Sequence, residues 1–231
     1  LKFCRELGIR PTLFCIGRDL QPSTVPQFME ALALGCELAC HSFQHDYGLA
    51  QQNKQHIHRD CVLALARFQE LLGMKPVGFR APGYGLSNDL LSVLRDCGFL
   101  YDSSELHSPA YRVMKTLVLL NYAMERRFSA SRLHFLRPRK SVTSLVELPI
   151  STGVLTLPAL GAVWLRLPAL ARRLHLYSLA AVPHLVVNLH LIEFLPSLQV
   201  HPAIRVRQPE MRLSVERRQQ ILRQCVRWLS H

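Results

Sequence analysis

The sequence predicts an α/β fold made of parallel βα units arranged as a barrel or barrel-like sheet. Strand-like apolar runs and helix-period segments alternate in order between Pro11 and Asp102. Residues able to do chemistry fall where successive strands end, the position at which parallel α/β folds carry their sites. The chain is also large enough for such a core, with 231 residues of which 49% are hydrophobic and 19% charged.

Taken in order, Leu1 to Gly8 reads as the tail of an amphipathic helix closed by Gly8, and Pro11 to Gly17 as a buried strand. Val25 to Leu34 has helical periodicity with Gly35 as its stop. Cys36 to Ala39 is then a short strand delivering His41 at its end. Gln55 to Leu72 is a second helix, with Ile57, Cys61, Leu65, Phe68 and Leu72 on one stripe. Val77 to Arg80 is the next strand, Asn88 to Cys97 a helix ending at Gly98, and Phe99 to Asp102 a strand. Further on, Leu185 to Leu189 reads as an apolar strand ending in His190, and Ser214 to Leu229 as a closing amphipathic helix. The order is less regular from Glu105 to Pro183, where basic and Pro-rich pieces lie around Arg126 to Lys140.

Composition narrows the function classes. The formal charge of +12 comes from Lys and Arg, 28 against 16 acidic residues. The arginines crowd between Arg205 and Arg227 on a helical stretch with no Tyr or Phe interleaved to stack bases, which argues against nucleic-acid binding. Leu148 to Leu165 and Leu174 to Ile192 are long and uncharged or nearly so, but Pro, Gly and His interrupt them. They read as buried strands with their connections, not as transmembrane spans. The seven cysteines are scattered through apolar segments, as expected of reduced, buried thiols, and this leans toward a cytoplasmic setting. The chain opens Leu-Lys-Phe-Cys-Arg-Glu, without a basic start and apolar core, and an upstream signal remains open.

The chemistry lies in two segments. In His41-Ser42-Phe43-Gln44-His45, two imidazoles four apart can share one metal ion. In Phe79-Arg80-Ala81-Pro82-Gly83-Tyr84, the turn offers a cation and backbone N–H groups. Cys36 and Cys40 precede the histidines, so a Cys/His zinc cluster is an alternative. A strand would nonetheless point the adjacent Cys40 and His41 to opposite faces.

Gly35-Cys-Glu-Leu-Ala-Cys-His-Ser-x-x-His45, Gly78-Phe-Arg-Ala-Pro-Gly-Tyr84, Gly98-Phe-Leu-Tyr-Asp-Ser-Ser104 and Val187-Asn-Leu-His190, in that order, resemble the polysaccharide deacetylases with a NodB homology domain, the carbohydrate esterase family 4 type. The resemblance implies one domain over residues 1–231, a distorted (β/α)7-type barrel with a family-divergent insertion at about 105–183. It implies a metal-dependent hydrolase that removes N-acetyl groups from a polysaccharide or oligosaccharide, with a divalent ion, Zn2+ by preference. His41 and His45 would be metal ligands and His190 the general acid. Gly83 would supply an oxyanion N–H, Arg80 would orient a catalytic carboxylate, and Asp102 would tune His190 or cap the turn after it, with Glu193 as a second tuning candidate.

The family's first motif, a Thr-Phe-Asp-Asp run on its first strand, supplies the general base and a third metal ligand, and it has no counterpart in residues 1–231. The expectation is therefore a barrel with its first strand missing and a catalytically incomplete copy, the absent piece lying upstream. The alternative is a non-catalytic glycan-binding or degenerate relative.

Overall fold

The computed structural model describes residues 2–109, 111, 145–206 and 208–230; the basic segment around Arg126 to Lys140 lies outside them. Two compact units make up the described residues, one formed by residues 2–105 with 145–149 and the other by 106–111 with 150–230.

The first unit follows the expected alternation closely. Helix α1 (Lys2–Glu6) leads through Gly8, at φ 67°, to strand β1 (Thr12–Cys15). Helix α2 (Val25–Ala33), closed by Gly35 at φ 77°, leads to β2 (Glu37–Cys40). Helix α3 (Lys54–Leu72) starts on an Asn53 side chain that accepts the His56 N–H, and it stops at a left-handed Gly73. Then come β3 (Gly78–Phe79), α4 (Asn88–Asp96) capped by Ser87, and β4 (Tyr101–Asp102). A strand the sequence did not announce, β5 (Val146–Glu147), pairs with β4.

All four pairings are parallel, and the order is β1-β2-β3-β4-β5. The α/β class with a parallel sheet therefore holds, but among the described residues the sheet is open, with β1 and β5 as its edges, where a barrel was expected. The stripe predicted on α3 faces the sheet: Ile57, Cys61 and Phe68 are fully buried. Ile57 and Cys61 pack with Phe79, Leu90 and Leu94, while Phe68 packs with Cys15, Leu38 and Ala31. At the lower edge of the sheet, Thr12 Oγ1 and the Tyr101 hydroxyl both donate to the Glu37 carboxylate, at 2.6 and 2.9 Å. Gly78 admits the Tyr101 ring there, since a Cβ would overlap it.

The second unit departs from expectation. Leu185 to Leu189 forms no strand. It makes one isolated parallel bridge, Leu160 to Asn188, because its partner enters helix α5 (Gly161–Arg166) at the next residue and offers no further ladder. Of the uncharged stretches read as buried strands with their connections, Leu148 to Leu165 runs into α5 and Leu174 to Ile192 begins in α6 (Ala169–Ala180), while the rest of each makes turns and isolated bridges instead of a ladder. The Ala- and Leu-rich sequence ALARRLHLYSLA favours helix, and Pro168 precedes its first turn. After the short α7 (Pro202–Arg205), α8 (Val215–Leu229) closes the chain with Ser214 as its cap, as read. In its core, Trp164 Nε1 donates to His175 Nδ1 at 3.2 Å and His175 Nε2 donates to the Leu157 carbonyl at 2.9 Å. Among the described residues no helix is long and apolar enough to cross a membrane, and all seven cysteines are free thiols.

Candidate active site

The His41–His45 segment leaves the end of β2 and turns sharply. The His41 N–H still donates to the Cys15 carbonyl, at 2.8 Å, and extends the sheet ladder by one bond. Ser42 and His45 then adopt positive φ, 64° and 57°. Left-handed backbone at two non-glycine residues costs on the order of 1–2 kcal/mol each, so surrounding contacts must hold it. Several do. Fully buried Ser42 accepts the His45 N–H on Oγ at 2.9 Å, and Gly17 N and Arg18 N donate to the Ser42 and Phe43 carbonyls at 2.9 and 3.2 Å. Asp60, on α3, accepts Phe43 N on Oδ1 at 2.7 Å and Gln44 N on Oδ2 at 3.0 Å.

The resulting turn brings the two imidazoles together, with ring centroids 4.9 Å apart at an interplanar angle of 57°. His41 Nδ1 lies 2.6 Å from the Arg80 carbonyl oxygen. A carbonyl only accepts, so Nδ1 carries the proton and the lone pair of His41 sits on Nε2, the nitrogen that can ligate. A hydrogen bond from an imidazole to a backbone carbonyl is a usual way for a metal-site histidine to be oriented.

Arg80 follows β3, and its N–H donates to the Cys40 carbonyl at 2.9 Å, so the two strand exits sit side by side. Its side chain is buried, with Nε and Nη2 donating to Ser103 O and Oγ at 2.8 and 2.6 Å and the guanidinium 4.0 Å from the Phe14 ring centroid. Burial lowers its pKa from the ordinary value, although arginine remains a cation. Beyond it, Gly83 and Tyr84 both take φ 59° in the Pro82–Tyr84 turn.

Asp102 is fully buried at the end of β4. Its Oδ1 accepts the Ser104 hydroxyl at 2.5 Å, and Ser104 Oγ in turn accepts Ala81 N at 2.7 Å, tying the β4 exit to the Arg80 turn. Glu147, its register partner on β5, is pushed up to about 9 by burial and then by the nearby Asp102 charge. Among the sequence-predicted residues, His41, His45, Arg80, Gly83 and Asp102 thus gather along neighbouring strand ends of the first unit. Asp60, Ser103 and Glu147 belong to the same surroundings, and no motif pointed to Asp60 or Glu147.

His190 belongs to the second unit. It precedes the Leu191–Phe194 turn with its side chain 52% exposed, and its Nδ1 lies 3.7 Å from Oε1 of the buried Glu193. Arg218 of α8, fully buried, donates to the carbonyls of Ile192, Glu193 and Leu195 and so fixes that turn.

The donor chemistry at His41 and His45 fits a divalent ion, with a neutral imidazole oriented through its second nitrogen. Among the described residues no group of three or more His, Cys, Asp and Glu side chains is arranged to hold a metal. Cys36 and Cys40 stay out of the pair: both are buried, and burial raises the Cys40 thiol well above its ordinary pKa, which favours the neutral S–H.

The open parallel α/β sheet thus delivers a paired-histidine loop and an Arg-Ala-Pro-Gly turn at adjacent strand ends. Residues 1–101 match the family model for polysaccharide deacetylases. The chain is 38% identical over 109 residues to a peptidoglycan deacetylase-like protein of Gibberella zeae, covering 45% of this chain and 31% of that protein. It is 27% identical over 165 residues to a peptidoglycan deacetylase of Helicobacter pylori, covering 68% of this chain and 53% of that one. The chain thus spans less than two thirds of either relative. Among solved structures, a family 4 carbohydrate esterase from Streptomyces lividans aligns with a TM-score of 0.40 at 20% identity, over 68% of this chain and 71% of that one.

Proposed function

We propose that this chain carries the metal-binding part of a glycan N-deacetylase, a hydrolase acting on the acetamido groups of a polysaccharide or oligosaccharide. The observation that carries the reading is the imidazole pair, 4.9 Å between centroids, with His41 oriented through Nδ1 by the Arg80 carbonyl. The similarity of residues 1–101 to polysaccharide deacetylases supports the substrate class. A divalent ion, Zn2+ in this reading, supplies Lewis acidity for the acetyl carbonyl and a more acidic water.

The chain's own residues take the remaining roles. His41 and His45 hold the ion through neutral ring nitrogens. The Gly83 N–H stabilises negative charge developing on the carbonyl oxygen. Arg80, pinned by Ser103 and Phe14, keeps a cation beside the β3 exit to orient a carboxylate. Asp102 supports that turn through Ser104. The resemblance gives His190 the role of proton donor to the leaving amine, and Glu193, 3.7 Å away, is its nearest tuning group in the same unit. The reading of residues 1–231 as one domain with a divergent segment at about 105–183 belongs to this proposal.

A second reading has its own support. No third ligand joins His41 and His45 among the described residues, which favours a chain that by itself holds zinc weakly and binds acetylated glycan without cleaving it. Acetate release from an N-acetylglucosamine oligomer by residues 1–231 with added Zn2+, compared with His41→Ala, separates the two. Zinc binding or zinc-dependent release lost in the variant supports the deacetylase reading. Oligomer binding without zinc binding or release supports the non-catalytic relative, and an absence of both zinc and glycan binding overturns both.

A further inference from the structure

We propose that Asp60 is the positioning residue that holds the His41–His45 loop in its convergent form; the inference rests on the reading of that pair as the metal site. Asp60 lies in the middle of α3, outside every motif that marks the family resemblance, and is 4% exposed. A carboxylate removed from water there needs donors, and it finds them in the two backbone N–H groups of Phe43 and Gln44, one on each oxygen. Those residues are the two between Ser42 and His45, so the bonds clamp the part of the loop that sets the separation of the imidazoles.

The loop needs such a clamp. Its two left-handed residues, Ser42 and His45, flank the clamped pair, and neither is glycine. The other anchors fix different groups: Gly17 N and Arg18 N hold carbonyl oxygens, and Ser42 Oγ holds the His45 N–H. With one N–H on each oxygen, both sides of the Asp60 carboxyl act as acceptors, which an ionised carboxylate supplies without presenting a donor. Asparagine at this position would keep one acceptor and turn an NH2 against the second N–H. Helix α3 also supports the loop sterically, because Phe43 and Ala64 converge on Gly17, where a Cβ would stand 2.7 Å from Phe43 Cδ2. Asp60 therefore carries the position of a long core helix to the ligand pair through two charge-assisted hydrogen bonds.

The test compares wild type with Asp60→Asn by NMR without metal and by Zn2+ competition titration. In the wild type, the Phe43 and Gln44 amides should exchange slowly and the His41 and His45 rings should show mutual NOEs. Asp60→Asn should lose the protection and the NOEs while the α3 amides stay protected, and should weaken Zn2+ binding about 10- to 100-fold, the range seen for groups that orient metal ligands indirectly. Unchanged protection and NOEs in the variant overturn the proposal, as does unchanged Zn2+ affinity in a protein whose His41→Ala form has lost binding. Should Asp60→Asn fail to fold, the wild-type spectra decide: fast exchange at Phe43 and Gln44 overturns the clamp, and slow exchange with the NOEs supports it. A wild type that binds no Zn2+ defeats the metal reading, and the amide measurements still judge Asp60.

Discussion

Replacing Glu147 by Gln should change how stability depends on pH, and the structure gives both sign and size. Glu147 sits beside Asp102 on adjacent strands, and burial followed by the Asp102 charge lifts its pKa from the ordinary 4.5 to about 9. A proton on Glu147 lets it donate to Asp102 instead of repelling it. In the unfolded chain the same group ionises near its ordinary value. Between pH 4.5 and 9 the folded state therefore binds a proton that the unfolded state has released. Stability from this source is fully present below pH 4.5 and is lost as pH rises toward 9.

The limiting slope is about 1.4 kcal/mol per pH unit. Glu147 is only half-buried and solvent screens the pair, which narrows the pH window over which this slope acts, so roughly half of the limiting change is expected across pH 5 to 8. A glutamine at this position would keep an acceptor for the Glu105 N–H, now 2.8 Å from Glu147 Oε1, and a donor toward Asp102, but would carry no titration. Urea unfolding of wild type and Glu147→Gln at pH 5, 6, 7 and 8 measures the difference directly, with titrating groups remote from the Glu147–Asp102 pair cancelling. The variant should gain on the wild type by about 2 kcal/mol across that range. A pH-independent difference, or one that grows in the wild type's favour, would refute the reasoning.

Other substitutions probe the neighbouring geometry. Arg80→Lys should cost about 2–3 kcal/mol in urea unfolding, since a lysine cannot reproduce the Nε and Nη2 donors to Ser103 or the flat contact with Phe14; a cost near zero would show that the fork is dispensable. Gly17→Ala should destabilise by about 1–3 kcal/mol in thermal melts and shift the His41 and His45 ring resonances, because its Cβ meets the Phe43 ring and the Ala64 backbone. Trp164→Phe should cost about 1–3 kcal/mol by leaving His175 Nδ1 without its donor inside the second unit. His175 should titrate below an ordinary histidine, since burial lowers its pKa, so its stabilising effect should fade as pH drops below the ordinary value of 6.5, a trend that His175 NMR titration would check.

The first unit was legible because its signals are local and agree with one another. Gly8, Gly35, Gly73 and Gly98 all take positive φ where a helix was expected to stop or has just ended. Hydrophobic spacing on α3 named the residues that became core. The second unit misled because its apolar run has no clear period: a buried strand and a buried helix both read as continuous Leu, Ala and Val. Neighbouring chain decided the outcome. Asn188 finds a strand-like partner only at Leu160, immediately before α5 begins, so one bridge forms where a ladder was expected. Strand β5 was missed for a related reason, since two residues, Val146 and Glu147, carry no periodicity of their own and are defined by the edge of β4.

In the candidate site, the side chains aimed at chemistry were readable and the groups that aim them were not. In the proposed reading, His41, His45 and Arg80 stand in motifs because a ligand or a cation has few substitutes. The groups that orient them act through main-chain atoms: the Arg80 carbonyl selects the His41 tautomer, Ser103 and Ser104 bind the β3 exit, and Asp60 binds two loop amides from another helix. A main-chain partner imposes no residue type on the loop it holds, so sequence spacing carries no trace of it. Ser42 marks the boundary. Its Oγ accepts the His45 N–H within the loop itself, because donor and acceptor there lie three residues apart. Asp60 lies 17 residues from Phe43, and only the packing of α3 against the sheet brings the two together. The precision of a site of this kind is therefore set by the core that seats α3, and substitutions at Gly17, Ala64 or Cys61 should reach the imidazoles without touching either one.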